Sequence, residues 1–457
     1  MTVLKSNECT LVIDVGKTNV KLILLDNVGR KLETTRKENK VLQTSLYPCI
    51  DMEGNWQWFV EETHLLSSKH DIGTISISTH GACAALVDLE AEKLVLPILD
   101  YEFNDYPDDN YAEIRQPFNE CYSPNLPGGL NIGRQLHYQL GFLSDEDQAR
   151  TSVLFYPSYW AWRLSGVAVT EMTSIGCHTD LWDLNRNQYS SVVGKLGLTG
   201  KFPPIVKAWE VIGTIRPEVA ADTGLKQTCR VMPGVHDSNA GYIPYLDIPF
   251  DKRPTVISTG TWTIAMSPHS NLDCLDETRD MLANIDASGG ALATARYMGG
   301  REYAEICNLG EGDCTENDIE NTLSEGVMAL PSFGNGSGPF GNIKGKILGE
   351  LTNARAVATI YSALMIDHLL SSLNCKDDII IEGRFATNDI ICSLLAAIRN
   401  DQKIRINSDV GGIAEGCFRL AHWDRVPSTI SLPKVKPYSS EHLVPYVEKW
   451  KKQVSNL

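Results

Sequence analysis

The sequence predicts an α/β protein of two domains built on a similar plan. Three observations carry that prediction. Apolar strand patterns alternate with helical ones, the order of an α/β chain. Residues 10–25 and 255–266 share one form: an apolar strand, a Gly/Thr turn and a second strand. This weak internal repeat points to two similar domains. The chain also has 457 residues, more than one domain of roughly 100–200 residues usually holds.

The elements follow in chain order. Residues 10–14 read as a strand, 15–18 as a turn and 19–25 as a second strand. β-branched and aliphatic residues dominate both arms, and Gly16 marks the bend. Short strands are predicted at 74–78, ending at Thr79, His80 and Gly81, and at 84–88. Residues 240–254 carry Pro244, Pro249 and Pro254 among Asp247, Asp251 and Lys252, and read as a linker. The second strand–turn–strand unit covers 255–258, 259–261 and 262–266. Val357, Ile360, Tyr361, Leu364 and His368 recur at the spacing of one helix face. Ile379, Ile380 and Ile381 make a strand ahead of Glu382, Gly383 and Arg384. Ile391, Leu394, Leu395 and Ile398 then predict a helix, capped by Asn388 or Asp389. The domains expected are 1–245 and 246–432, with a tail over 433–457.

Composition narrows the function classes. With 43% hydrophobic and 21% charged residues, the chain is neither disordered nor fibrous. Lys and Arg total 41 against 57 Asp and Glu, a formal charge of −16. That balance disfavours nucleic acid or an anionic membrane as a partner. The 12 cysteines are scattered and never spaced Cys-x-x-Cys, so they read as reduced core residues of a cytoplasmic protein. The apolar run over 11–25 is interrupted by Asp14, Lys17, Thr18, Asn19 and Lys21. It is neither a signal peptide nor a membrane span.

Four stretches carry chemistry. In the first turn, Gly16 clears space, Thr18 and Asn19 add side-chain donors, and Lys17 and Lys21 add positive charge. Together with free backbone N–H groups they make a phosphate cradle, with Asp14 placed to hold Mg²⁺. An ordinary polar hairpin turn is the competing reading. The second turn offers Gly260 and Thr261. Two such turns in similar domains are placed to grip one polyphosphate across a cleft. Asp237 follows Gly234 and His236 in a loop that opens a small-residue helix. It is placed as a general base for phosphoryl transfer to an alcohol, or else it or Ser238 caps the helix. Last come two glycine turns before helices, one around Gly383 and one at Gly411 and Gly412. The alternative for the latter, and for Gly416 beside it, is helix packing.

In this order the pieces resemble the FGGY family of carbohydrate kinases, over residues 11 to about 421. His236-Asp237, the Ser-Thr-Gly-Thr-Trp run over 258–262, and the turn over 14–21 read most like the L-fuculose and L-rhamnulose kinase branch. The resemblance implies two ribonuclease-H-like (actin-like ATPase) domains with an interdomain cleft. It implies ATP and Mg²⁺, with Asp14 as the magnesium-associated carboxylate. Asp14, Gly16, Thr18, Asn19 and Lys21 correspond to the first phosphate loop, and Gly260 and Thr261 to the second. Asp237 matches the catalytic base. Gly383 and Asn388 match the adenosine loop, Gly412 a turn facing the nucleotide, and His80 and Gly81 the sugar contacts.

Departures from the family pattern are informative. Lys17 fills a slot usually held by a small residue or Thr, as an added phosphate contact or a solvated side chain. Glu382 and Arg384 interrupt a glycine run, and Arg384 either stacks on adenine or pairs with Glu382. In the substrate loop, Tyr101 fits the aromatic slot, whereas Phe103 and Asp105 do not fit the rest. Six acids and no base lie between Asp100 and Ile114, read first as a solvated loop. If it lines the sugar site, it repels a sugar acid, so a neutral ketose or deoxyketose is expected, bound beside His236. The expected partners are sugar and ATP, in a monomer or homodimer. An alditol or other polyol kinase and a non-catalytic sensor are the competing readings.

Overall fold

The computed structural model describes residues 8–107, 110–246, 252–334, 336–341, 343–408, 412–425 and 432–457. The centre of the expected linker, with Asp247, Pro249 and Asp251, lies outside the described residues, as do Asp108, Asp109 and Gly411.

The chain divides into two compact units. One comprises Met1–Leu246, Asn284–Ala291 and Gly411–Val426; the other comprises Asp247–Ala283, Leu292–Val410 and Pro427–Leu457. A single division at 245/246 therefore does not describe the chain, because two later stretches pack with the first unit. For the second stretch the cause is visible. In the helix Gly412–Ala421, Gly416 lies so close to Ala240 that a Cβ there would meet the Ala240 carbonyl oxygen at 1.9 Å. Beyond it, the ring of Trp423 stacks on Trp209 at 4.3 Å, and His422 Nε2 bonds Thr10 Oγ1 at 3.0 Å.

In the first unit β1 (Cys9–Val15) pairs antiparallel with β2 (Asn19–Leu25), and β2 with β3 (Lys31–Glu38). On its other side β1 runs parallel to β4 (Ile72–Thr79). β1 is buried at every residue, so its apolar run needs no alternation. β3 is largely charged and closes the sheet edge in a form that discourages further pairing. β4 pairs in turn with β5 (Arg230–Val231) and β6 (Val235–His236), both parallel to it.

The second unit repeats the plan. β7 (Thr255–Thr259) and β8 (Thr263–Ser267) form the hairpin, β9 (Ala291–Tyr297) lies antiparallel beyond β8, and β10 (Ile379–Gly383) runs parallel to β7. A further strand, β11 (Ile404–Asn407), extends this sheet parallel to β10. The helix Ala354–Ser372 is buried nearly all round, not on the single face that the spacing predicts. Ala356, Ala358 and Ala363 supply the small surfaces its other sides need. The expected tail is instead an ordered helix, Leu443–Val454, docked on the second unit. Its Trp450 is 1% exposed and donates its indole N–H to Ala329 O at 2.8 Å, while Tyr446 OH donates to Val327 O at 2.7 Å.

All 12 cysteines are free thiols, most of them buried. Among the described residues no helix is long and apolar enough to cross a membrane.

Candidate functional site

The carboxyl ends of three parallel strands meet in the first unit. Register places Val15 beside Thr79, and Thr79 beside His236. Everything that follows each strand end is thereby gathered in one place: the 16–18 turn, His80-Gly81, and Asp237. Ligand sites of α/β sheets lie at such ends.

The turn is closed by Gly16 N–H donating to Asn19 O at 2.9 Å. Asn39 consumes the turn's carbonyls, its side-chain amide bonding Gly16 O and its backbone N–H bonding Thr18 O, each at 2.9 Å. The N–H groups of Lys17 and Thr18 make no backbone hydrogen bond among the described residues. Carbonyls turned away and N–H groups left free are what an anion cradle requires. Asp14 is buried, and its Oδ2 accepts from Lys21 Nζ at 2.9 Å across the hairpin. Burial pushes its carboxyl above the usual range, an effect that Lys21 opposes.

Asp237 opens the short helix Asp237–Tyr242. The helix cap is His236, without a side-chain bond, so Asp237 is free of the capping role. Its Oδ1 accepts from Ser238 N–H at 2.6 Å and lies 3.4 Å from His236 Nε2. Burial pushes this carboxyl up as well, the direction a general base needs to approach neutral pH. His236 is 6% exposed, and burial pushes its imidazole down to about 4, so it stands neutral beside the carboxylate. His80 donates its backbone N–H to Val15 O at 2.8 Å, and its Nδ1 bonds Gly81 O at 2.8 Å. Nδ1 therefore carries the proton, and Nε2, which has no hydrogen-bond partner among the described residues, is an acceptor. Its ring packs between Tyr101 and Tyr156, centroids 5.4 and 5.2 Å away. Gly81 is a glycine of necessity: a Cβ would lie 2.6 Å from His236 Nε2.

Lys17 does not extend from the cradle into solvent. Its ammonium is bound by Asp100, lies 3.4 Å from Glu102 Oε2, and sits 4.9 Å from the Tyr101 ring centroid. Among the described acids between Asp100 and Ile114, Asp100 is buried, whereas Glu102, Asp105 and Glu113 are exposed.

Behind the base lies a group that no sequence signal marked. Glu171 is fully buried and accepts from Thr173 N–H at 3.0 Å and Thr173 Oγ1 at 2.5 Å. That hydroxyl in turn accepts the His236 backbone N–H at 3.0 Å. A buried carboxyl thus orients a hydroxyl that holds the residue preceding Asp237.

In the second unit the hairpin turn exposes Gly260 and Thr261, with Gly260 N–H bonded to Trp262 O at 2.8 Å. Nearby, a cavity of about 650 Å³ is lined by Tyr303 and Cys307, by Arg355, and by Arg384, Phe385 and Asn388. That volume suits a nucleoside-sized ligand. The loop after β10 is clamped by Thr259, whose hydroxyl donates to Glu382 O at 2.5 Å and accepts from Phe385 N–H at 2.8 Å. Asn388 caps the helix Asp389–Ile398 through Ile391 N–H at 3.0 Å. Arg384 is exposed at the cavity wall. Gly383 adjoins this wall, whereas Gly412 lies in a helix of the first unit and does not line the cavity. Tyr303 and Cys307, four residues apart on the helix Gly299–Cys307, were legible only as an ordinary helix face.

A hairpin with a third antiparallel strand on one side and a parallel strand on the other, present twice, defines the ribonuclease-H-like plan of the actin-like ATPases. Comparison with known proteins narrows this class. Residues 144–243 match the FGGY family of carbohydrate kinases, N-terminal domain, and residues 251–428 match carbohydrate kinase FGGY, C-terminal domain. A solved carbohydrate kinase from Novosphingobium aromaticivorans is 33% identical, with a TM-score of 0.88 over 97% of this chain and 100% of that one. The chain belongs to the FGGY family of carbohydrate kinases. Among curated proteins it is 26% identical over 299 residues to an L-fuculokinase of Salmonella typhi, 61% of each chain. It is 25% identical over 285 residues to a probable L-xylulose kinase of Pasteurella multocida, 57% of this chain and 56% of that one. These matches span about three fifths of the curated relatives' own length.

Proposed function

We propose that the protein is an ATP-dependent kinase that transfers the γ-phosphoryl group to a hydroxyl of a neutral ketose or deoxyketose. The observation that carries this reading is the place of Asp237. Its carboxylate stands at the strand ends, in the same unit as the free N–H groups of the first turn, with its affinity for a proton raised by burial. The relatives' names, L-fuculokinase and L-xylulose kinase, support a ketose acceptor.

In this reading Asp237 accepts the proton of the attacking hydroxyl and orients it. His236, held neutral, places no positive charge beside the carboxylate. His80 and Tyr101 hold the sugar beside it. The N–H groups of Lys17 and Thr18, with Lys21, receive phosphate oxygens. Gly260 and Thr261 do the same in the second unit, and the cavity beside Arg384 and Asn388 receives adenosine. Among the described residues no group of three or more His, Cys, Asp or Glu forms a ready-made metal cage. Mg²⁺ bound with a nucleotide needs only one or two carboxylates in addition to phosphates, so Asp14 fits the role. The ion would neutralise phosphate charge. Twelve free thiols agree with a cytoplasmic location.

The test is a coupled ADP-release screen with ketoses, deoxyketoses, aldoses, alditols and aldonates, run on the parent chain and on Asp237→Asn. The expected result is release with a ketose, and a kcat lower by roughly 10²–10⁴ in the variant with nucleotide affinity unchanged. Undiminished turnover in Asp237→Asn removes the residue from the base role. Release with aldonates alone overturns the neutral acceptor.

A further inference from the structure

We infer that Lys17, although it arises from the phosphate turn, serves the sugar: with Asp100 it forms a donor–acceptor pair that reads a vicinal diol of the acceptor. The inference rests on the kinase reading above and assigns a specificity determinant within it.

The first argument is direction. The ammonium of Lys17 lies against Asp100 and Glu102 and over Tyr101. Tyr101 meets His80, and His80-Gly81 packs on His236, the neighbour of the base. A continuous run of neighbouring residues therefore leads from Lys17 to Asp237. Lys21 provides the contrast. Its ammonium has one carboxylate partner, Asp14, and its side chain is 41% exposed against 23% for Lys17. Lys21 is free to meet phosphate in a way that Lys17 is not.

The second argument is charge. Asp100 is 5% exposed. Drawing the ammonium away to a phosphate would strand a buried carboxylate, which is strongly unfavourable. The stretch from Asp100 to Ile114 supplies acids and no base, so no cation of that stretch can replace Lys17 beside Asp100.

The third argument is hydrogen-bonding capacity. An ammonium has three donors and a carboxylate about four acceptor sites. Two of the three donors face Asp100 and Glu102, which leaves one. Asp100 Oδ1 also accepts Glu102 N–H at 3.3 Å, and Oδ2 makes no hydrogen bond among the described residues. One free donor beside one free acceptor matches two adjacent hydroxyls, one accepting and one donating.

Binding of each ligand, measured separately by titration calorimetry, tests this without requiring turnover. The probes are the ketoses of the screening panel, an analogue of each lacking one hydroxyl of the diol, and a non-hydrolysable ATP analogue. Lys17→Met is expected to weaken ketose binding about tenfold or more, as for loss of a charge-assisted hydrogen bond. It should also erase the parent's preference over the deoxy analogue and leave the ATP analogue within about twofold. The double variant Lys17→Met, Asp100→Asn leaves no stranded carboxylate, so it stays folded and should show the same pattern. Weaker binding of the ATP analogue with unchanged ketose binding overturns the inference, as does no change in either. If ketose binding falls as expected but the parent releases no ADP, the kinase reading fails and the Lys17 assignment stands. A parent chain that binds no sugar in the panel overturns both.

Discussion

Alanine at Gly383 probes the junction between the second sheet and the nucleotide-sized cavity. Gly383 adopts φ 78° and ψ −149°, a region almost closed to residues with a side chain. Forcing alanine into it costs roughly 1–3 kcal/mol. A Cβ would also lie 2.1 Å from Thr259 O and 3.0 Å from its carbonyl carbon, backbone atoms of the neighbouring strand that cannot swing aside. Accommodating it requires a strand shift, worth about another 1–3 kcal/mol by the measure of overpacked cores. The sum is about 2–6 kcal/mol. The shift falls where Thr259 pairs with Gly383 and where the Thr259 hydroxyl holds Glu382 and Phe385, so the loop carrying Arg384 must move with it. Urea unfolding of Gly383→Ala is expected to show that loss, and calorimetry a weakened ATP analogue. Gly289→Ala is the control: φ is 88° there, but no atom lies within 4 Å of the added Cβ, so conformational strain acts alone, at roughly 1–2 kcal/mol. A Gly383→Ala chain within about 0.5 kcal/mol of the parent, with unchanged nucleotide affinity, would refute the steric reasoning.

Two further outcomes follow from buried groups. Burial pushes the Glu171 carboxyl up to about 7 from 4.5, so between those pH values the folded chain keeps a proton that the unfolded chain has lost. Stability contributed by that proton is full below about pH 4.5 and is lost as pH rises toward 7, by about 3 kcal/mol. Glu171→Gln should flatten this fall, read from urea midpoints at pH 5 and pH 7; parallel curves for parent and variant would contradict the assignment. Trp450→Ala removes an indole that is 1% exposed together with its bond to Ala329 O, and should cost roughly 3–5 kcal/mol in thermal or urea unfolding. A loss under 1 kcal/mol would mean that the last helix is dispensable to the second unit.

Legibility in the sequence tracked the range of the interactions involved. Both hairpins could be read because β-propensity and a glycine turn are local properties, and the structure places strands within a residue or so of the expected bounds. The cap, as Asn388 or Asp389, was legible for the same reason, and the structure assigns it to Asn388, whose bond to Ile391 N–H spans three residues. The helix Ala354–Ser372 was legible as a helix but not in its surroundings, because small alanines look alike on a solvated and on a packed face. Glu171 carried no signal, since its partner Thr173 acquires meaning only once it reaches His236, 63 residues on.

By itself, then, the sequence determined the α/β class, the repeated strand–turn–strand plan and the residues that sit at the strand ends, all consequences of local pattern. Tertiary structure alone decided which way the long side chains point and which segment packs where. Lys17 is turned from the phosphate turn toward Asp100, 83 residues away, because a buried carboxylate left without a counter-charge is strongly unfavourable. The helix Gly412–Ala421 joins the first unit because Gly416 lets its backbone meet Ala240 where any side chain would keep them apart. Contacts of that kind are set by close packing between elements distant in the chain, and no window of sequence contains both partners.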